Sequence, residues 1–356
     1  MKPSQLQSIL ISDTPLIDVR AQVEFNAGAF PSASNIPILN DHERELVGTC
    51  YKNEGPEHAR ALGHKLVSGS TRESRIDNWC EFVEQNPGSQ LYCFRGGLRS
   101  TLAQQWLKDR GYQIPKIEGG YKALRRSLLS VFEHLPNLIV VAGKTGTGKT
   151  EFLARVSNKV DLEHRANHRG SAFGKQLSEQ PAQIDFENRV ALDFLKTQST
   201  PVLIEDESRL IGRINLPLPL QATMSEAPII LLEDTIENRV TRINQEYLVD
   251  QFEALREKTE SAEKALNELK TIFLGSLDAI RKRLGPERYE NLGDLMRAGF
   301  QAQSAGDFSG HNPWIRVLLE EYYDPMYEYQ LSKKQTRIID SGDQEALLKY
   351  ADTELT

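Results

Sequence analysis

Cysteine is scarce in this chain: Cys50, Cys80 and Cys93 are the only three in 356 residues. So odd and sparse a set excludes a disulfide framework and suits a reducing compartment. Long apolar runs are missing as well. "LIVVA" at 138–142 falls far short of the roughly 20 residues that cross a bilayer. The opening "MKPSQLQSILISDTP" has no basic segment leading into an apolar stretch, so neither a signal peptide nor a membrane partner is expected, and the expected location is cytoplasmic. Positive charge is in deficit, with 43 Lys and Arg against 50 Asp and Glu for a net charge of -7. That excludes a generally basic nucleic-acid coat and leaves room only for a local basic groove. Internal repeats and low-complexity tracts are absent, so the length fits two domains of different kinds, each with its own core.

What is present alternates. In residues 1–130 the short apolar runs "LIDV" and "SQLYCF" are followed by turn residues and then helical spacing, as in "LRSTLAQQWLKDRGY". Residues 137–356 open a second unit with further apolar runs at 138–142, 202–204, 229–232 and 338–339, separated by a strongly helical, mixed-charge segment near 250–300. The expected fold class is α/β in both units, with parallel sheets and a helical insertion in the second.

The clearest motif is "GKTGTGKT": Gly143, Lys144, Thr145, Gly146, Thr147, Gly148, Lys149 and Thr150. It satisfies G-x-x-x-x-G-K-T between an apolar strand and a helical segment. In that setting backbone N–H groups converge on phosphate oxygens and the helix N-terminus adds its dipole. Lys149 would reach the terminal phosphate and the Thr150 hydroxyl could hold Mg²⁺. "PVLIEDESRLIG" supplies an acidic strand end, with Asp206 the first choice and Glu205 and Glu207 its competitors. Such a loop recognises a diphosphate and does not by itself choose a nucleotide over another diphosphate ester.

A second candidate site is "YCFRGGLRS" at 92–100. A tight loop, Arg95 and Arg99 would present positive charge to the Cys93 sulfur, and the helix expected to start near Ser100 would add its dipole. The result is an anion-binding cup with a nucleophile at its base. Cys50 and Cys80 lack such surroundings. His164 and His168 are four residues apart, but no further ligands complete a zinc site, so no metal centre is expected.

With "LIDVRAQVEFNAGAFPSASNIP" upstream, the first unit resembles the rhodanese family, whose loop cysteine carries a persulfide. Arg99 lies six residues after Cys93, where many rhodaneses place it five after, and Ala29 stands where many carry a histidine. The longer spacing is the C-x5-R of rhodanese-fold phosphatases, which makes such a phosphatase fused to a P-loop kinase or ATPase the alternative reading. A rhodanese-like unit ahead of a P-loop NTPase-like unit resembles the bacterial tRNA 2-selenouridine synthase family. "GTCYKNEG", "EGGYKALRR", "LEHRANHRGSAFG", "IDFENRV" and "YYDPMYEYQ" carry the likeness along nearly the whole chain.

The resemblance implies a transferase that replaces the sulfur of wobble 2-thiouridine in tRNA by selenium from selenophosphate, through an S-geranylated intermediate made with geranyl diphosphate. It implies that Cys93 handles selenium and that residues 143–150 hold the prenyl diphosphate. A C-x5-R ring can grip the phosphoryl oxygens of selenophosphate while the thiolate attacks selenium. No tightly bound cofactor is expected; selenophosphate and geranyl diphosphate are co-substrates, Mg²⁺ is compatible, and so is a protein partner that supplies selenophosphate. Arg165, Arg169 and Lys175 are the leading tRNA-binding candidates, with Arg125 and Arg281 in two further basic clusters. Tyr322, Tyr323 and Tyr327 are candidates for stacking on a flipped base. Phe152, Leu153 and Phe173 read first as core and second as a lining for the geranyl chain.

Overall fold

Short apolar runs flanked by helical segments become buried parallel strands, because helices on the crossovers cover the faces of the sheet. In the first part of the chain β1 (Leu16–Asp18), β2 (Ala33–Asn35) and β3 (Gln90–Tyr92) form a parallel sheet in the order β2-β1-β3. Ile17, Val19, Leu91 and Cys93 share one core with Trp79 of helix Gly69–Gln85 and Trp106 and Leu107 of helix Leu98–Asp109. The computed structural model describes residues 2–197 and 200–354. It divides into two compact units, Met1–His134 with Ala182–Lys196, and Leu135–Pro181 with Thr197–Thr356.

The second unit is therefore not the continuous stretch 137–356 that the sequence suggests. Helix Gln183–Lys196, which carries "IDFENRV", belongs to the first unit. Hydrogen bonding explains the placement. The Ala29 N–H donates to Asp185 at 2.7 Å, and Asn188 donates back to the Ala29 carbonyl at 2.7 Å. Arg125 donates to Asn188 at 2.8 Å and pairs with Glu187. A Cβ on Gly28 would stand 2.3 Å from Ile184 Cγ2, so only glycine lets the helix approach. Arg125, a candidate for RNA contact, is thus spent on this clasp.

In the second unit β4 (Leu138–Ala142), β5 (Lys159–Val160), β6 (Val202–Glu205), β9 (Ile229–Leu232) and β10 (Ile338–Gly342) form a parallel sheet in the order β10-β9-β4-β6-β5. A small antiparallel hairpin, β7 (Leu210–Ile211) with β8 (Ile214–Asn215), follows β6. From central β4 the chain runs to edge strand β5, returns to β6 between them, then crosses to β9 and β10 on the other side of β4. This creates a crevice at the carboxyl ends of the strands. Beyond the sheet, helices Asp250–Thr259, Ala262–Leu284 and Pro286–Ser304 pack around Phe273, Phe300 and Trp314 in a separate helical core. Phe152 and Leu153 lie in the core under the sheet and Phe173 stacks in the helical core 5.9 Å from Trp314, so none of the three lines a pocket wall for a geranyl chain.

His311 sits fully buried in that helical core. Trp314 Nε1 donates to its Nδ1 at 2.9 Å, so the neutral ring carries its proton on Nε2 and donates to Gln303 Oε1 at 2.8 Å. Burial lowers its pKa to about 4. The unfolded chain takes up this proton near pH 6.5 and the folded chain only near 4, so stability contributed by neutral His311 falls as pH drops through that window. The loss should approach about 3 kcal/mol. Denaturant unfolding at pH 7 and pH 4.5 should show a steeper decline for the native protein than for His311→Gln.

Candidate active site

The turn after β4 holds the phosphate-loop motif, and its shape follows from what ties down its carbonyls. Gly148 has φ +83, a left-handed conformation that disfavours any side chain, and it opens helix Lys149–Arg155. The buried Arg239 donates from Nε to the Thr145 carbonyl at 2.9 Å and grips Asp324 with both terminal nitrogens at 2.8 and 2.6 Å. Arg242 donates to the Gly146 carbonyl at 2.6 Å and to Asp234 and Glu151 at 2.9 Å each. Lys144 pairs with Glu328 at 2.6 Å, while Lys149 reaches back to the Gly143 carbonyl at 3.0 Å. Thr147 closes the turn on the Lys144 carbonyl.

Three carboxylates stand beside this loop. Thr150 Oγ1 lies 3.3 Å from Glu163 and 3.5 Å from Glu205, and the Glu163 N–H donates to Glu205 at 2.8 Å. Asp206, the first choice from sequence, is instead held by Lys334 at 2.7 and 2.9 Å. Strand β6 ends at Glu205, so strand alternation does not separate the two, and Asp206 also lies at the cavity over the loop. Burial and the adjacent carboxylates push Glu205 and Glu207 well above the usual range; burial also raises Glu163, against the pull of Lys149.

A cavity of about 420 Å³ opens over the loop, lined by Gly143, Thr145, Gly146, Gly148, Lys149 and Thr150, the acidic groups Glu163, Asp206 and Glu207, and a wall of Ile243, Tyr247, Tyr322, Tyr323, Met326 and Tyr327. Two short π-helical turns, Asn244–Val249 and Leu319–Tyr323, carry part of that wall. Such turns recur at functional sites. Burial raises the phenol pKa of Tyr247, Tyr323 and Tyr327, keeping them neutral. Arg169 also faces the cavity, over the Tyr247 ring at 4.8 Å and 3.6 Å from Glu246. The basic trio from the sequence therefore does not form one patch. Lys175 is exposed and lines a different cavity with His168 and Arg213, and Arg165 is half-buried on helix Leu162–Ala166. Arg281 lies over the Tyr289 ring. Glu163, Arg239, Arg242, Tyr247 and Arg283 escaped the sequence reading because no motif spacing marks them. Among the described residues, no group of three or more His, Cys, Asp or Glu is arranged to hold a metal ion.

In the first unit the loop after β3 is locked by backbone contact. The N–H groups of Tyr121 and Lys122, in the first turn of helix Gly120–Leu129, donate to the carbonyls of Cys93 and Phe94 at 2.9 and 3.1 Å. A Cβ on Gly120 would stand 2.1 Å from the Cys93 oxygen, which is why "EGGY" is required there. Cys93 is buried, its Sγ 3.1 Å from Ser100 Oγ, and the following helix begins at Leu98, two residues before the expected start. Arg95 is exposed. Arg99 is not free to complete a ring around Cys93, since it donates to Glu24 at 2.6 and 3.1 Å. Beneath the loop, Arg20 forms a buried pair with Asp18 and lies 3.9 Å from the Tyr121 ring centre.

A family profile described as the tRNA 2-selenouridine synthase AAA domain matches residues 136–356. The tRNA 2-selenouridine synthase of Marinobacter nauticus is 47% identical over 351 residues, covering 97% of this chain and 95% of its own. That of Pseudomonas syringae pv. syringae is 47% identical, covering 98% and 96%, and that of Ectopseudomonas mendocina 48%, covering 97% and 94%. The chain belongs to the tRNA 2-selenouridine synthase family. The α/β architecture with parallel sheets and the enzyme class follow from that kinship. No described helix is long and apolar enough to cross a membrane.

Two substitutions test the architecture of these loops in this family member. Arg239→Met removes the two-pronged grip on Asp324, which keeps only Lys144 at 3.5 Å, and frees the Thr145 carbonyl, so thermal unfolding should register a loss of about 3 kcal/mol. Gly120→Ala drives a methyl group into the Cys93 carbonyl and should lower the melting temperature of the first unit, whereas Gly48→Ala, in helix Asp41–Glu54 with open space around it, should not.

Proposed function

We propose that this chain converts the 2-thiouridine at the wobble position of tRNA into 2-selenouridine, with geranyl diphosphate and selenophosphate as co-substrates. The observation that carries the reading is the 47% identity across 97% of the chain with a protein named for that product. In this reading residues 1–134 with 182–196 are a rhodanese-like unit that handles selenium through Cys93, and the other unit binds the prenyl diphosphate on residues 143–150. The loop amides and Lys149 suit a diphosphate, and Ile243, Met326 and the tyrosine wall offer an apolar surface to a short prenyl chain. Should Mg²⁺ accompany the diphosphate, Thr150 and Glu205 are the hard oxygen ligands to hand, with phosphate oxygens and water supplying the rest. Exposed cations such as Lys175 and Arg281 are the candidates for RNA phosphate contact.

The chemistry balances without an external oxidant or reductant. The thiocarbonyl sulfur displaces diphosphate from geranyl C1: a C–S bond forms, the C–O bond breaks, diphosphate leaves with the electron pair, and the N3 proton is lost. Selenium at the selenide level then adds to C2, the geranyl thiol departs, and N3 regains its proton. Attack of Cys93 on selenium, the sequence-based expectation, would leave the P–Se electron pair on phosphorus and reduce it. Attack on phosphorus instead forms an S–P bond and releases selenide with that pair, after which water cleaves the S–P bond to give phosphate. This assigns to the Cys93 loop the phosphoryl chemistry that its C-x5-R spacing suits.

The test is mass spectrometry of nucleosides from thiolated tRNA incubated with both co-substrates. The native protein should yield 2-selenouridine, Cys93→Ala should accumulate the S-geranylated nucleoside, and Lys149→Ala should leave most 2-thiouridine unchanged. Unaltered nucleosides together with Cys93-dependent hydrolysis of an aryl phosphate would instead establish the phosphatase alternative.

A further inference from the structure

Arg99 raises a question that the proposed chemistry does not answer. A loop arginine meant for an oxyanion is already engaged, with Nη1 2.6 Å and Nη2 3.1 Å from the two oxygens of Glu24. This two-pronged geometry is the one a guanidinium also uses for phosphoryl oxygens. Burial works most strongly, and against the charged form of Glu24, but the hydrogen bonds and charge of Arg99, the Ala21 N–H and Arg44 together outweigh it and hold the carboxyl below the usual range. Glu24 has other partners as well: the Ala21 N–H donates to it at 3.1 Å and Arg44 Nε stands 3.6 Å away. Giving up Arg99 would therefore not strand its charge. Beside this pair lies an open cavity of about 520 Å³ lined by Glu24, Arg44, Lys52, Tyr51 and Arg99. An incoming anion has room to reach Arg99; Arg44 and Lys52 line the same cavity, and so does the carboxylate of Glu45.

We propose that Glu24 is a positioning residue that occupies the Arg99 fork as an internal substitute for the selenium donor's oxyanion and yields it to a tetrahedral dianion entering from this cavity. The proposal rests on the reading of the Cys93 loop as the donor site. Its consequence is selectivity. A singly charged anion gains nothing over the carboxylate it must displace, whereas a doubly charged phosphoryl group wins the fork and the nearby Arg44 as well. Glu24 thus weakens every oxyanion but weakens poor competitors most.

The experiment titrates inorganic phosphate into the full chain by calorimetry, for the native protein, Glu24→Gln, Glu24→Asp, Arg99→Ala and the double variant Glu24→Gln/Arg99→Ala. Glu24→Gln should bind phosphate at least fivefold more tightly. Glu24→Asp, charged but too short to span the fork, should shift affinity the same way by a smaller factor and serves if the glutamine variant folds poorly. Arg99→Ala should weaken binding about tenfold and erase the gain in the double variant. Removing a carboxylate raises the local positive potential whatever its role, so Glu24→Asp, which keeps the charge, decides: unchanged or weaker affinity in that variant, with Arg99→Ala still impaired, overturns the proposal and spares the donor-site reading. If Arg99→Ala binds phosphate like the native protein, the donor-site reading itself fails.

Discussion

An anion-binding loop works only if its carbonyls point away from the anion, and in the second unit that constraint rests on Arg239. Its guanidinium takes the Thr145 carbonyl on one edge and Asp324 on the other. Arg242 does the same for the Gly146 carbonyl. Tethering turns these carbonyls away from the mouth of the loop, although the Thr147 N–H still donates within the turn, to the Lys144 carbonyl at 3.2 Å. Because Asp324 opens the helix that carries Met326 and Tyr327, the same ion pair also fixes the wall of the cavity opposite the loop. Loop and wall are thus set by one buried interaction, and neither could shift without exposing an unpaired charge.

The Cys93 loop meets the same constraint by a different means. Its carbonyls are tied by backbone rather than side chain, through the first N–H groups of helix Gly120–Leu129. A helix N-terminus has donors without internal partners, so binding them to a loop satisfies both elements at once. The requirement is closeness, and Gly96 and Gly120 provide it, since a Cβ at either would lie within 3 Å of the other segment's backbone. The buried Arg20–Asp18 pair stacks under Tyr121 and holds the start of that helix from below. Segments that look like separate motifs in the sequence, "LIDVR", "CFRGGLRS" and "EGGY", are one construction.

Features set by local rules were readable in advance. Apolar runs gave the parallel strands, and G-x-x-x-x-G-K-T after a strand gave the loop at its end, because both depend on residues adjacent in the chain. What could not be read depends on contacts across long separations. Glu205 meets Thr150 and the Glu163 N–H, whereas Asp206 is claimed by Lys334, 128 residues away. Helix Gln183–Lys196 has the amphipathic character of any second-unit helix; its bonds to Ala29, more than 150 residues earlier, and to Arg125 place it in the first unit. Arg99 follows the spacing of an oxyanion ligand, yet its present partner comes from a helix 75 residues upstream.

The acidic total of the chain now has a local counterpart. Glu163, Glu205 and Glu207 crowd beside a loop built to attract anions, which appears self-defeating until their protonation is considered. Burial and mutual repulsion raise their pKa values, so part of the cluster's charge is removed by protons. As pH rises through those values the cluster becomes more negative and opposes a diphosphate on the loop. The cluster therefore opposes an anion on this loop, and protonation relieves that opposition. Lys149 pulls against the rise at Glu163, but burial prevails there.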